Sequence, residues 1–448
     1  MTIRFSGLDL EKPRNMILQW RRNGVCGNVV WKMKGVNMSN TIKTRLQGEI
    51  ETDEMVDEKM ITGQSIDTEG RPVENYSVPK PMKSKVGLVS SNPKEIAVLP
   101  KTRPADTSFV HILPLGSDHA LRRRYMVLNE PIPANIRFGL LLEVLDKVAE
   151  ETALNYVNRF YPEARVVTAA IDRILVRNPA DATRDIVFSA RINHVGRSSL
   201  EVGIRVDQPG EPVRHVASCS FTMVARSGVG EDAVSVPLPP LEYVDEIEKE
   251  RARKTLARRD DYRRHQADLL GPPSRDEYQM LTGLHNAQEA EDFTGLLTGR
   301  LVTDAWEVMF PEQENVPATI FGGYLIRRAF ELSSICSELV TPDRSIIIAV
   351  NRINFLRPVR MGDKLHFTSR VVYTNDSFVC VEAGIERISR DRSSKALSNS
   401  CLFTFVNLDG EMARKPVPPV YPTTYAEDTR YLAAHRSHGD LIRNIREI

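Results

Sequence analysis

NVPATIFGGYLIRRAFELSSICSEL, from Asn315 to Leu339, is the stretch on which the reading of the whole chain turns. Pro317 cannot sit inside a helix, so a helix here starts after it. Gly322 and Gly323 stand at that start. Leu325, Ile326, Ala329, Phe330, Leu332, Ile335, Cys336 and Leu339 then recur at helical spacing. The pattern predicts a long apolar helix over 322–339 with a bare glycine entrance. Glycines admit another group close to the backbone. The unpaired amides of the first turn, with the positive end of the helix dipole, suit an oxygen that carries negative charge. Taken alone, the same residues also describe a buried helix whose glycines only permit tight packing.

The strand-like sequence after this helix has a double earlier in the chain. AAIDRILVRNP (Ala169–Pro179) lies over AVNRINFLRP (Ala349–Pro358), with Asp172 on Asn351, Arg173 on Arg352 and Ile174 on Ile353. Phe188 falls on Phe367 and Arg191 on Arg370 at the same offset of 179. After a small drift, Glu201 and Gly203 fall on Glu382 and Gly384, and SCSFTMV (Ser218–Val224) lies over SCLFTFV (Ser400–Val406). Identities held in register this long indicate a two-fold internal duplication. Each copy opens with a helix, 137–160 in the first and 322–339 in the second. Runs that alternate apolar and polar residues follow, such as DIVFSARINHV and KLHFTSRVVYT. One long helix and then four strands with short turns predicts an antiparallel sheet packed on a single helix, an α+β arrangement.

Composition bounds the function. Lys and Arg (60) balance Asp and Glu (59), so no global charge points to nucleic acid or a membrane surface. The five cysteines show no metal-ligand spacing, and a reducing compartment is the default. No apolar run approaches the ~18 residues that span a bilayer. The start of the chain is lopsided, with nine basic residues in 1–48 against Asp9 and Glu11. That composition fits a mitochondrial transit peptide or a plain basic tail, and the two acids fit the former poorly. Residues 49–104 turn polar, with repeated Pro and Ser, as a linker or loose extension does. The predicted organisation is an extension over 1–105, one domain over 106–237 and a charged helical linker over 238–296. A second domain over 297–425 and a tail over 426–448 complete it. The helix within 241–270 interleaves acids and bases and reads as solvated.

The motifs TIFGGYL, VNRINFLRPVRMGD and CLFTFVNLDG together resemble the hotdog-fold acyl-CoA thioesterases. Two copies in one chain are similar to the double-hotdog subgroup of the mitochondrial acyl-CoA thioesterase 9 type. The resemblance covers roughly residues 106–425. It implies two tandem hotdog domains, each a long central helix wrapped by an antiparallel sheet. It also implies hydrolysis of acyl-CoA thioesters, a mitochondrial address with the cytoplasm as alternative, no cofactor, and no metal. Acyl-CoA is the expected partner, nucleic acid is not, and homo-oligomers stay open. The hotdog fold also includes hydratases and non-catalytic acyl-CoA binders. No GxSxG elbow is present for a serine thioesterase, and no histidine lies near a helix start for a hydratase.

The resemblance further implies a split site: an Asn before one helix, and an Asp fifteen residues on in the partner copy. Asn315 keeps the amide, but its position fifteen is Phe330. Matching Gly139 to Gly323 puts Asp146 in the acid position of the first copy, where the amide position is Pro131. Asp146 paired with Asn315 makes one complete site, and Pro131 with Phe330 an empty one. Asp146 is the expected general base, Asn315 the orienting amide, and the Gly322 and Gly323 amides the oxyanion donors. Arg352 and Arg357 are candidates for the coenzyme A phosphates. Each has a plainer reading, with Asp146 as a surface acid, Asn315 as a turn residue and Arg352 as a structural pair of Arg173. Glu331, a turn of ~100° past the acid position, should instead pair with Arg327 or Arg328.

Overall fold

The computed structural model describes residues 101–446 apart from 128–134, 229–232, 270, 317–318, 342–344 and 352, and four two-residue strands before residue 84. For 259–268, 314–316, 319 and 444–446 it describes the backbone only. The chain divides into two compact units, Met1–Ser84 and Lys85–Ile448. In the first, Lys32–Met33 pairs antiparallel with Val36–Asn37, and Ser65–Ile66 with Pro72–Val73. The rest of the expected basic extension lies outside the described residues.

The second unit holds one thirteen-stranded sheet. Among the described residues its strands are β1 (Phe109–Leu113), β2 (Arg165–Ile171), β3 (Ile174–Val176), β4 (Ile186–Val195), β5 (Ser199–Gln208) and β6 (Arg214–Ser227) from the first half, with the two-residue strand Val234–Ser235 on the end of β6. From the second half come β7 (Val302–Val308), β8 (Ile346–Val350), β9 (Ile353–Asn354), β10 (Lys364–Asn375), β11 (Phe378–Ile388) and β12 (Lys395–Val406). The main path runs β7-β10-β11-β12-β8-β3-β6-β5-β4-β1, so the order reads the same from either edge. The halves join where Ala349 and Val350 pair with Leu175 and Ile174, and where Ile353 and Asn354 pair with Ile171 and Ala170. The duplicated AAIDRILV and AVNRINF segments are therefore the seam. The polar dipeptide Asp172–Arg173 separates β2 from β3, and across it the pairing with β6 shifts by one residue.

Helix α1 (Phe138–Val157) buries Leu140, Leu141, Leu142, Leu145, Val148, Ala149 and Tyr156, apolar on almost every side as a core helix must be. Each fully buried leucine contributes about 1.5–3 kcal/mol. Helix α4 (Gly322–Ser337) opens at the two glycines and buries Leu325, Ile326, Ala329 and Phe330. The two helices pack on each other. Arg327 Nη1 donates to Glu143 at 3.2 Å across the crossing, and the Phe138 and Phe330 rings lie 5.5 Å apart. Glu331 pairs with Arg327 and Arg328, and also accepts from Arg137 at 3.0 Å.

Two other helices depart from the sequence expectation. Helix α2 (Glu246–Leu269), expected as solvated, buries Glu248, Ala252 and Thr255. Thr255 Oγ1 donates to Glu201 at 2.7 Å, and Arg258 pairs with the same carboxylate. This docking is polar, so it left no apolar stripe to read. Between α2 and α4 lies α3 (Arg275–Gln288), opened by the Ser274–Glu277 capping box. The expected tail instead forms α5 (Tyr425–Arg446), which buries Tyr431, Leu432, Ala434 and Leu441. Its Arg430 pairs with Glu382 at 3.0 Å. Glu201 and Glu382 are matched by the duplication, and each receives an arginine from the helix that follows its own half.

Candidate functional site

Gly323 and Asp146 meet where α4 begins. The Gly323 N–H donates to Asp146 Oδ2 at 2.6 Å, across 177 residues of sequence. Thr168 Oγ1, on β2, donates to Asp146 Oδ1 at 2.6 Å. The carboxylate is 1% exposed, so it is not the surface acid that its helix neighbours allow. Burial pushes its pKa up from 3.8 to about 6, and the bonds from Thr168 and Gly323 pull partly back. A carboxylate poised there is charged at neutral pH and basic enough to take a proton from water.

The glycines are required by space. A Cβ on Gly323 would lie 2.7 Å from the Phe321 ring and 3.0 Å from Asp146 Cβ. One on Gly322 would lie 3.1 Å from the Phe355 ring and 3.2 Å from Asp146 Oδ2. The Gly323 amide, expected to face an oxyanion, is held by Asp146. Gly322, the first residue of the helix, has no helical partner for its own N–H. Phe355 is fixed to the first half through its N–H, which donates to the Ala169 carbonyl at 3.0 Å.

The pseudo-equivalent place is built of other groups. At the offset of 184 residues that separates Glu143 from Arg327, Gly139 matches Gly323 and Phe330 matches Asp146. A Cβ on Gly139 would lie 3.2 Å from the Phe330 ring, as one on Gly323 meets Asp146. Phe330 packs with Phe138, Phe403 and Phe405 in an aromatic cluster. Thr168 has its duplicate at Ile347, buried and apolar. Sequence reading missed Thr168. The signal was present, since a hydroxyl stands against an isoleucine at the same offset of 179 that aligns Asp172 with Asn351.

Asn315 lies in the short strand Glu314–Val316, paired with Thr319–Ile320 just before α4. Its side chain, like Pro131 and Arg352, lies outside what the structure describes. Arg357 is exposed, two residues past Phe355 on the segment that leaves the site. Among the described residues no group of His, Cys, Asp and Glu could hold a metal, and no helix is long and apolar enough to cross a membrane.

The model of the thioesterase superfamily matches residues 318–393, which open on the helix α4 entrance. Human mitochondrial acyl-coenzyme A thioesterase 9 is 27% identical over 360 residues, 77% of this chain and 79% of that protein. Mitochondrial acyl-coenzyme A thioesterase 4 of Humulus lupulus is 30% identical over 370 residues, 75% of this chain and 68% of the relative. Among solved structures, a Staphylococcus aureus acyl-CoA hydrolase in complex with butyryl coenzyme A is 26% identical with a TM-score of 0.31, covering 34% of this chain and 92% of its own. The chain belongs to the hotdog acyl-CoA thioesterases of the thioesterase superfamily.

Proposed function

We propose that the protein hydrolyses acyl-CoA thioesters to a free carboxylic acid and coenzyme A, at one site per chain shared between two tandem hotdog domains. In this reading the domains span 106–237 and 297–425, each a central helix (α1 or α4) wrapped by its half of the sheet. The observation that carries the site is the pairing of Asp146, buried in one half, with the helix entrance of the other at 2.6 Å. Asp146 takes a proton from a water as that water adds to the thioester carbonyl. The new oxyanion lies at the start of α4, where the Gly322 N–H and the helix dipole stabilise it, an effect often worth about 3–4 kcal/mol. Collapse breaks the carbon–sulfur bond, and the Asp146 carboxyl returns its proton to the departing thiolate. Thr168 holds the carboxylate in place, and Asn315 orients the water or the carbonyl. Arg352 and Arg357 are the candidates for binding the phosphates. Phe330, Ile347 and Pro131 leave the second place without an acid, a hydroxyl or an amide.

The mitochondrial relatives and the basic start of the chain support a mitochondrial address, and imaging of the full chain tagged at its C-terminus tests it. The hydrolase reading is tested by thiol release from acyl-CoA of several chain lengths. Turnover by the wild type and its loss in Asp146→Ala, with unchanged circular dichroism, is expected. A folded, CoA-binding wild type that releases no thiol from any chain length would mark a non-catalytic binder.

A further inference from the structure

The offset of 184 that relates the live and inert places also relates their rims, and there the charges differ. At the inert rim, Arg137 precedes α1 and donates to Glu331 at 3.0 Å. Glu331 is bound by Arg327 and Arg328 as well, so that rim is closed by a neutralised cluster. The matched residues at the live rim are Phe321 and Lys147. Lys147 Nζ lies 5.8 Å from the centroid of the Phe321 ring. The duplication thus sets a lysine where the other half has a glutamate, and an aromatic ring where it has an arginine. Lys147 is exposed, directly follows Asp146, and among the described residues pairs with no carboxylate. A ring face holds an ammonium in place without cancelling its charge.

We infer that Lys147, steadied on Phe321, is a substrate-binding residue that holds a phosphate of the coenzyme A portion of the substrate. This rests on the acyl-CoA reading and names a residue for it beyond Arg352 and Arg357. The geometry favours the nucleotide end over the acyl end. The cation is at the solvent edge of a site whose walls at Phe321 and Phe355 are apolar, while the phosphates are the part of the substrate that stays in water. An ammonium makes point-charge contacts of this kind to phosphate and needs no fork geometry.

The test compares an acyl-CoA with the same acyl group on pantetheine, which lacks every phosphate. In Lys147→Ala the ratio of kcat/KM for the CoA ester to that for the pantetheine ester should fall about two- to fivefold, the scale of one exposed charge contact, and the fall should appear in KM. Lys147→Arg should restore most of it. The wild-type ratio should fall as salt rises, and the Lys147→Ala ratio should respond less. An unchanged ratio, or equal losses on both esters, overturns the assignment. If the wild type turns over neither ester, the hydrolase reading fails instead. Calorimetry of free coenzyme A against pantetheine, in wild type and Lys147→Ala, then still decides on Lys147.

Discussion

Replacing Asp146 by asparagine should abolish thiol release and make the fold more stable at pH 8. The native carboxyl titrates near 6 against 3.8 when unfolded, so between those values the native state holds a proton the unfolded chain has lost. Wild-type stability therefore declines as pH rises from about 4 to about 6 and stays at the lower level above. One pKa step is about 1.4 kcal/mol, which makes the penalty about 3 kcal/mol at pH 8. Asparagine removes it. Its Oδ1 can keep the Gly323 N–H, and its Nδ2 can donate to Thr168 Oγ1, which accepts as readily as it donates. The assay is a urea midpoint for both proteins at pH 8 and pH 4, alongside thiol release. The gap should be widest at pH 8 and nearly gone at pH 4. An Asp146→Asn protein less stable than wild type at pH 8, or one with a pH-independent gap, would refute the buried, strained base. Retained turnover would refute its catalytic role.

Thr168→Val removes a donor to the charged form of Asp146. The acid limb of kcat/KM should move above its wild-type position near pH 6, and turnover at pH 7 should fall about tenfold, read from a pH–rate profile. Gly323→Ala forces Phe321 and Asp146 apart from the helix entrance, and kcat should drop by about a hundredfold with the secondary structure kept, since ~1 Å of misplacement costs that much. Phe330→Ala empties the aromatic cluster of the inert place. It should cost about 3–5 kcal/mol in a denaturant titration while thiol release per folded chain persists. Arg436→Ala should be similarly damaging, because Arg436 bonds Glu277 twice at 2.7 Å and caps the carbonyls of Leu269, Gly271 and Pro272. Glu277 is held down to about 2 by this pairing, so the loss should be fully visible at neutral pH and fade as acid protonates Glu277.

The legible parts of this fold were those written in short-range pattern or in repetition. The helix start at Gly322 followed from Pro317 and the apolar spacing. The strands that meet at the sheet's seam were the two best-matched segments of the duplication. Asp146 was named by register, from the acid position that the family resemblance implies once Gly139 is matched to Gly323. Its burial was not legible, since Glu143 and Glu150 on the same helix read equally as a wet face. Thr168 escaped because α1 has 20 residues against 16 for α4, so the offset between the copies changes from helix to strand and spacing counted from Asp146 does not find it. The docking of α2 rests on Glu201, Thr255 and Arg258, polar groups that periodicity counts as solvated.

The 2.6 Å bond between Asp146 and the Gly323 amide has a consequence for synthesis. A ribosome makes the chain in one direction, so the acid emerges 177 residues before the amide that satisfies it. During that interval the first half carries an apolar helix with a carboxylate on it and no helix α4 to cover either. The nascent chain must wait in water, or protonated, or held by a chaperone, until the glycine entrance arrives. On the proposed assignment, no truncated product ending before residue 323 can hold both the acid and the amide that binds it.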